Sequence, residues 1–522
     1  MNNRTETPTQ TFEEVIDQNT KLEQQVTELK LKLAWYEEQF RKAQHKQFAA
    51  SSERTHPDQL TLFNEAETEA DPKQPEPAIE TVTSERRKKT AGHRETKLAG
   101  LPVETISYTL SEEERSCPDC AEPLHEMSTE VRRELKIIPA QVSVVEHVRH
   151  VYSCRSCEQH GVRTPVITAP MPAPTLPGSL ASPSMLAYVI RQKYVDSLPL
   201  YRQEQQFRQL GIQLSRQTMA NWLIASSERW LAPLYDLCHA KLLEQDIAHA
   251  DETTLQVLRE PGRAAQTKSY LWLYRTGRVG LDIVLYDYQS GRGGEYPEQF
   301  LAGFTGYLHT DGYSGYSKVK GITQLGCWSH ARRKFHEALQ GVAPAQRTQT
   351  ASAEGLAFCN ALFEVERRWK DATPEERYAS RLAESQPILD QFAAWLEAQR
   401  GRVLPKGLLG TAITYCTNQW AKLTVFLQDG RLEIDNNRSE RAIKPTVIGR
   451  KNFLFCNTPR GAKASAILYS IVETAKANGL KPEMYVQHLF EELPQLTDLN
   501  NRAALEKLAP WSSTLPITCR LF

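Results

Sequence analysis

No stretch of the 522 residues is apolar for anything close to the roughly 18 positions a membrane-spanning helix needs. An integral membrane protein is excluded, and no membrane partner is expected. The opening Met1-Asn2-Asn3-Arg4-Thr5-Glu6 has no apolar run behind its one basic residue, so no secretory leader is expected and the chain is assigned to the cytoplasm. Net charge is lacking too: 63 Lys and Arg stand against 63 Asp and Glu. The average therefore argues nothing about a nucleic-acid partner, and only the distribution along the chain can. Ten cysteines without an export signal point to reduced thiols or metal ligands, not to a disulfide framework.

What is present is modular, and the length allows several domains. Over residues 10–45, Phe12, Asn19, Val26, Leu33 and Phe40 form one row of a heptad repeat and Val15, Leu22, Leu29 and Tyr36 the other. A polar Asn in such a row fixes register and dimeric state, so a coiled coil is expected to make the protein a homodimer or higher oligomer. A single amphipathic helix packed on its own chain gives the same pattern and stays open. Residues 46–100 read as a disordered linker: between Ser51 and Thr83 eight acids, two bases and four prolines cannot bury enough surface to offset backbone ordering. The linker ends in a basic run, Glu85 to Lys97.

In residues 101–164, Cys117-Pro-Asp-Cys120 and Cys154-Arg-Ser-Cys157 are paired CxxC knuckles. Four thiolates suit one closed, tetrahedral structural Zn2+ without catalysis. Val131 to Tyr152 between them is rich in β-branched residues and reads as a hairpin, giving a zinc-ribbon DNA-binding domain. Five prolines between Pro165 and Pro177 then argue for an irregular linker over 165–181.

Residues 182–240 read as a helix-turn-helix region. Ser182 to Ser197 has helical apolar spacing, Pro199 opens a helix ending at Gly211, and Ser215 caps another. That helix carries Met219, Trp222 and Leu223 inward and Arg216, Gln217 and Asn221 outward, side chains able to read base edges. Any helical hairpin shares the spacing.

Residues 241–457 carry three acids that need a reason. Ile247 to Val257 alternates as a strand, with Asp251 on the face of Ile247 and Leu255 and Glu252 on the other. Apparent strands follow at Tyr270 to Tyr274, Leu281 to Tyr286 and from Gly306, where Asp311 meets a glycine turn; a helix is expected near Glu295 to Leu301. Glu440 is the one acid among seven bases between Arg438 and Lys463. Three such acids, if a fold brings them together, can hold two divalent ions for in-line phosphoryl displacement, with Arg441, Lys444, Arg450 and Lys451 clamping phosphates. Surface ion pairs are the commoner use of such acids. Asp435 with Asn436 reads as an N-cap for the helix of Glu440. Trp328, His330, Arg332 and Arg333 combine an aromatic, an imidazole and bases that could grip a splayed DNA end, or form a packed Trp on a basic helix. The stretch from about 340 to 430 is helical in composition and reads as an insertion; 458–522 reads as a C-terminal helical element.

The heptads, the paired knuckles, the helical segment and the motifs Asp251-Glu-Thr253, Thr310-Asp-Gly-Tyr-Ser-Gly-Tyr316, Cys327-Trp-Ser-His-Ala-Arg-Arg-Lys-Phe335, Asp435-Asn-Asn-Arg-Ser-Glu-Arg-Ala-Ile-Lys-Pro445 and Gly449-Arg-Lys-Asn-Phe-Leu-Phe455 together resemble the transposases of the bacterial insertion sequence 66 family. The likeness runs over nearly the whole chain. It implies a multidomain α/β protein with a ribonuclease H-like catalytic domain, an acidic triad at Asp251, Asp311 and Glu440, and two Mg2+ (or Mn2+) per active site. It also implies DNA partners (element ends and target), small accessory proteins of the same element, and a C-terminal element over Phe453 to Leu493. Ser439 and Lys444 stand where Ala and Arg are expected in the family. The expected activity is cleavage exposing 3′ hydroxyls and their joining to target DNA in the nucleoid. A DNA-binding regulator or inactive derivative, and a nuclease that cuts without joining, remain alternatives.

Overall fold

The computed structural model describes residues 20–23, 25–26, 105, 141–155, 159–160 and 166–521. Most of the heptad segment, the linker, the basic run and Cys117, Cys120 and Cys157 lie outside these residues. Within the heptads, residues 20–23 and 25–26 are helical. Cys154 is half-buried and follows β1 (Val151–Ser153). That strand pairs antiparallel with β2 (Val166–Thr168) across the second knuckle. Two expectations change here. Val151 and Tyr152 pair forward with β2, and 141–150 form no strand; residues 131–140 of the expected hairpin lie outside the described residues. β2 also interrupts the proline-rich linker, because Val166, Ile167 and Thr168 lie between Pro165 and Pro170 and keep their N–H groups.

The helical region begins with α1 (Pro183–Tyr194), where Ser182 Oγ accepts from Met185 N. α2 (Leu200–Gln209) follows and closes at Gly211, whose φ of 82° suits a residue without Cβ. α3 (Arg216–Ser226) starts where Ser215 Oγ accepts from Thr218 N, with Met219, Trp222 and Leu223 buried and Arg216, Gln217 and Asn221 exposed, as the spacing indicates. A π-turn leads into α4 (Ala232–Leu243).

Five strands form one mixed sheet: β3 (Ile247–Gln256), β4 (Lys268–Thr276), β5 (Val284–Gln289), then, after α5 (Glu295–Phe300), β6 (Gly306–His309) and β7 (Ile322–Leu325). The order is β5-β4-β3-β6-β7. The β3–β4 and β4–β5 pairs are antiparallel; β3–β6 and β6–β7 are parallel. β7 has no counterpart in the sequence reading. Its four residues, Ile-Thr-Gln-Leu, are too short for alternation to register.

α6 (Trp328–Gln340) leaves the sheet, and a helical insertion follows: α7 (Ala351–Arg368), α8 (Pro374–Ser380), α9 (Gln386–Arg400) and α10 (Leu408–Leu423). The chain returns as α11 (Asn437–Phe453) and ends in α12 (Pro459–Ala477), α13 (Pro482–Glu492) and α14 (Arg502–Leu508). Among the described residues, no helix is long and apolar enough to cross a membrane.

Strand alternation divides the core. Ala248, Ala250, Trp272, Tyr274 and Leu285 pack with Cys238 and Leu242 of α4 on one sheet face. Leu271, Leu273, Val284 and Tyr286 pack on the other with Ala442 and Ile443 of α11 and with α12 and α13. Ile247 joins Trp328 and Phe335 of α6 and the insertion in another cluster. The edge strand β5 is closed off by side chains: Thr474 Oγ1 accepts from Val284 N (3.0 Å) and donates to Val284 O (2.8 Å), and Ser470 Oγ accepts from Tyr286 N. Without those hydroxyls the backbone groups of this edge would lie buried and unpaired.

Candidate functional site

Asp251 sits midway along β3. In the parallel β3–β6 ladder His249 is opposite His309, so Asp251, still inside β3, and Asp311, just past the end of β6, stand at equivalent positions two residues further on. β3 and β6 run in the same direction, and open α/β sheets gather ligands beyond the carboxyl ends of such parallel strands. Asp311 lies beyond the end of β6 in a tight turn: its Oδ1 accepts from Tyr313 N (2.9 Å), and Gly312 follows at φ 95°. Tyr415 of α10 donates its hydroxyl to Asp311 O, tying the insertion to this loop.

Glu440 arrives on the first turn of α11. Asn436, just before that helix, locks its start to β3. Its Nδ2 donates to Ala250 O (2.9 Å), its Oδ1 is 2.9 Å from His249 Nδ1, and its carbonyl accepts from Glu440 N. Asp435 takes part in the helix start as the spacing indicates, accepting from Asn437 N (3.1 Å) and from Ser329 Oγ (3.0 Å), although Asn436 is the capping position itself. α11 continues through Pro445, which has no N–H to offer Arg441 O.

Burial, above all, pushes the Asp251 carboxyl up to about 8, and the charges of Glu252, Asp311 and Glu440 push in the same direction. Acids from a strand, a loop and a helix thus crowd into one another's fields. The Glu252 N–H donated to Asp251 Oδ1 (2.8 Å) opposes the shift. Glu252 faces the opposite side of the strand and is answered there: Tyr316 donates to its Oε2 (2.6 Å) and Arg292 to its Oε1. Burial still raises it. Glu440 has no such answer. Its Oε1 is buried with no hydrogen-bond partner, and Arg333 Nη2 stands 3.7 Å from its Oε2.

The other expected contacts divide. Arg441, Lys444 and Lys451 are exposed along α11, as are Arg216, Gln217 and Asn221 on α3. His330 is half-buried, 3.8 Å from Glu440 Oε1, and burial lowers its pKa. Trp328 does not stack on a ligand: it is 0% exposed, and its Nε1 donates to Leu423 O. With Ala331, Phe335 and Ala338 it forms the inner stripe of α6, a helical period that the sequence displays. Arg450 turns inward, donating to Thr254 O and to the hydroxyls of Thr253 and Thr254, and so anchors α11 on β3. Arg332 Nε donates to Asn360 Oδ1 (2.7 Å) of α7.

Sequence reasoning missed the support beneath the acids. His249 and His309 stack with ring centroids 4.3 Å apart, both fully buried. His249 Nε2 is 3.0 Å from Glu433 Oε2. The positive charges of Arg438 and Arg278 help hold the Glu433 carboxyl far below its usual range against its burial. The partners in this network are far apart along the chain, so no local pattern announces them.

Residues 178–464 match the family described as Transposase IS66 family. Residues 114–158 match the zinc-finger binding domain of transposase IS66 and 35–106 the pattern described as Transposase C of IS166 homeodomain. The IS66 C-terminal element matches 470–511, beginning and ending later than the resemblance suggested. Similar proteins in Sinorhizobium fredii include the uncharacterized proteins y4jD, 31% identical over 77% of this chain and 79% of that protein, and y4hP, 30% identical over 74% and 71%. A third, the uncharacterized protein y4qI, is 32% identical over 76% of this chain and 73% of its own. No solved structure matches.

Proposed function

Because the chain belongs to the IS66 transposase family, we propose that it cuts the ends of an insertion sequence to expose 3′ hydroxyls and joins them to target DNA, using Asp251, Asp311 and Glu440. One observation carries this reading: Asp251 is held up to about 8 by burial first and then by the charges of Glu252 beside it and of Asp311 and Glu440, which are remote in sequence. Such a cluster is unfavourable by itself and is relieved by divalent cations, and Glu440 Oε1, buried without a hydrogen-bond partner, is available as a ligand atom. The residues therefore fit divalent ions: Asp251, Asp311 and Glu440 would hold a pair of Mg2+ or Mn2+, which would supply activation of the attacking oxygen and stabilisation of the leaving one.

The protein's own groups do the rest. The three antiparallel strands followed by two parallel ones support a ribonuclease H-like catalytic domain over 241–457, interrupted by the helical insertion. Arg441, Lys444 and Lys451, exposed on the helix that delivers Glu440, hold the phosphate backbone across the acids. Asn436 and Arg450 keep that helix in place on β3. Arg216, Gln217 and Asn221 on α3 read an element end in the major groove. Cys117, Cys120, Cys154 and Cys157 hold one structural Zn2+, and the heptads join two chains so that two ends are cut in concert in the cytoplasm.

The test is incubation of the full chain with Mg2+ and labelled duplex carrying the DNA that flanks its gene. Nicking at a defined end and joined products are expected, both lost by at least about a thousandfold in Asp311→Ala. Nicking without joined products would leave a nuclease, and binding with wild type and mutant equally inert would leave a regulator.

A further inference from the structure

The Cys327-Trp-Ser-His330 motif has a feature that DNA gripping does not use. Cys327 is the residue before α6, His330 lies in the first turn of that helix, and Glu440 lies in the first turn of α11. One ligand atom from each of the three falls within 4.8 Å of the others. His330 Nδ1 and Glu440 Oε1 face each other at 3.8 Å, and both atoms are buried with no hydrogen-bond partner. That separation is too long for a hydrogen bond. It is close to the edge of a coordination tetrahedron, about 3.4 Å for metal–ligand bonds of about 2.1 Å. Arg333 approaches Glu440 from its other oxygen, Oε2, and leaves Oε1 facing the imidazole.

The third donor is prepared in the same way. Asn436 N donates to Cys327 Sγ at 3.2 Å, the kind of N–H bond that orients a sulfur ligand from behind. Because Asn436 is itself fastened to Ala250 O and to His249, the sulfur sits against a fixed backbone. All three ligand positions are thus held by one junction, the start of α6 packed on the start of α11, where Trp328 N also donates to Ile434 O.

We propose that Cys327, His330 and Glu440 form a site for a borderline divalent ion, Zn2+ by class, which takes Glu440 away from Asp251 and Asp311 and so switches off the Mg2+-dependent reaction. Sulfur and nitrogen ligands select Zn2+ or Co2+ over Mg2+, which prefers oxygen and water. Three protein ligands leave a fourth position for water. Binding stands on the cluster alone; the inhibition rests on the reading of Glu440 as a catalytic acid.

The experiment adds Co2+ to full-length protein already given Zn2+ for its cysteine knuckles, and compares wild type with Cys327→Ala, Cys327→Ser, His330→Gln and Asp311→Asn, each checked by circular dichroism. Wild type and Asp311→Asn are expected to show a thiolate-to-cobalt charge-transfer band. Both Cys327 variants lose it, and His330→Gln weakens cobalt binding by at least about a hundredfold, more than loss of an outer-shell partner. An equal band in wild type and in whichever Cys327 variant folds would overturn the site. In the nicking assay, each protein is compared with its own zinc-free rate. Zn2+ should inhibit wild type at concentrations at least about a hundredfold below those needed for Cys327→Ser. A bound cobalt signal with no zinc inhibition would overturn the switch while leaving the site. Failure of the transposase reading shows separately, as wild type with no Asp311-dependent nicking.

Discussion

Two groups of charge in this molecule are built on opposite rules. Arg381, in the helical insertion, is 0% exposed, yet every donor finds a partner: Glu366 takes Nε and Nη2 (both 2.7 Å), and the carbonyls of Phe426, Asp429 and Leu432 take the rest. Asp251, Asp311 and Glu440 are arranged the other way. Charges of one sign meet, Asp251 is driven up to about 8, and Glu440 Oε1 has no partner. Compensated charge holds structure together, while acids gathered close to one another inside a fold are a signature to expect of a functional site.

Three measurements would sharpen or break this contrast. Arg381→Met leaves Glu366 without its partner and should cost about 3–5 kcal/mol in urea unfolding. Asp251→Asn removes a carboxyl that must take up a proton on folding at neutral pH and should leave stability equal or higher without divalent ions. If both variants lost stability alike, the distinction between the two regions would collapse.

Next in size is the pH dependence. An unfolded aspartate titrates near 4, whereas folded Asp251 does so at about 8. Between these values the folded chain holds a proton that the unfolded one releases. This contribution to stability is therefore complete below about pH 4 and is lost as pH rises through about 8. With a chelator, the melting temperature of the wild type should fall over that window, by a contribution on the order of a few kcal/mol, and Asp251→Asn should flatten the fall. Mg2+ or Mn2+ should restore stability most at the alkaline end.

Smallest is the effect of single bases on α11. Lys444→Ala should weaken DNA binding regardless of sequence and reduce the slope of log affinity against log salt by about one. Arg450→Ala, removing the tie to Thr253 and Thr254, should instead lower the melting temperature. Equal salt slopes in the two variants would show that Arg450 reaches DNA after all.

Much of this was legible in the chain because it is written locally. Ser182, Ser215 and Gly211 punctuate the first helices, and strict alternation sets Asp251 and Glu252 on opposite faces. Trp328 was readable in two ways, and the stripe Trp328, Ala331, Phe335, Ala338 decides for the core over the basic neighbours that suggest a DNA grip. β7 was hidden by its brevity. The inward turn of Arg450 and the pairing of His249 with Asn436 and Glu433 depend on contacts between distant segments, and no window on the sequence contains both partners.

The back-to-back acids of β3 make the site sensitive to phase. Asp251 serves the carboxylate cluster and Glu252 serves Arg292 and Tyr316 only because a strand presents successive side chains to opposite sides. Deleting one residue between Ile247 and Asp251 would keep both acids and nearly the whole strand. It would also turn Glu252 toward Asp311, push Asp251 into the packed place of Ala250, and leave Thr253 opposite Arg292. The frame in which β3 is read, as much as the letters in it, decides which acid is which.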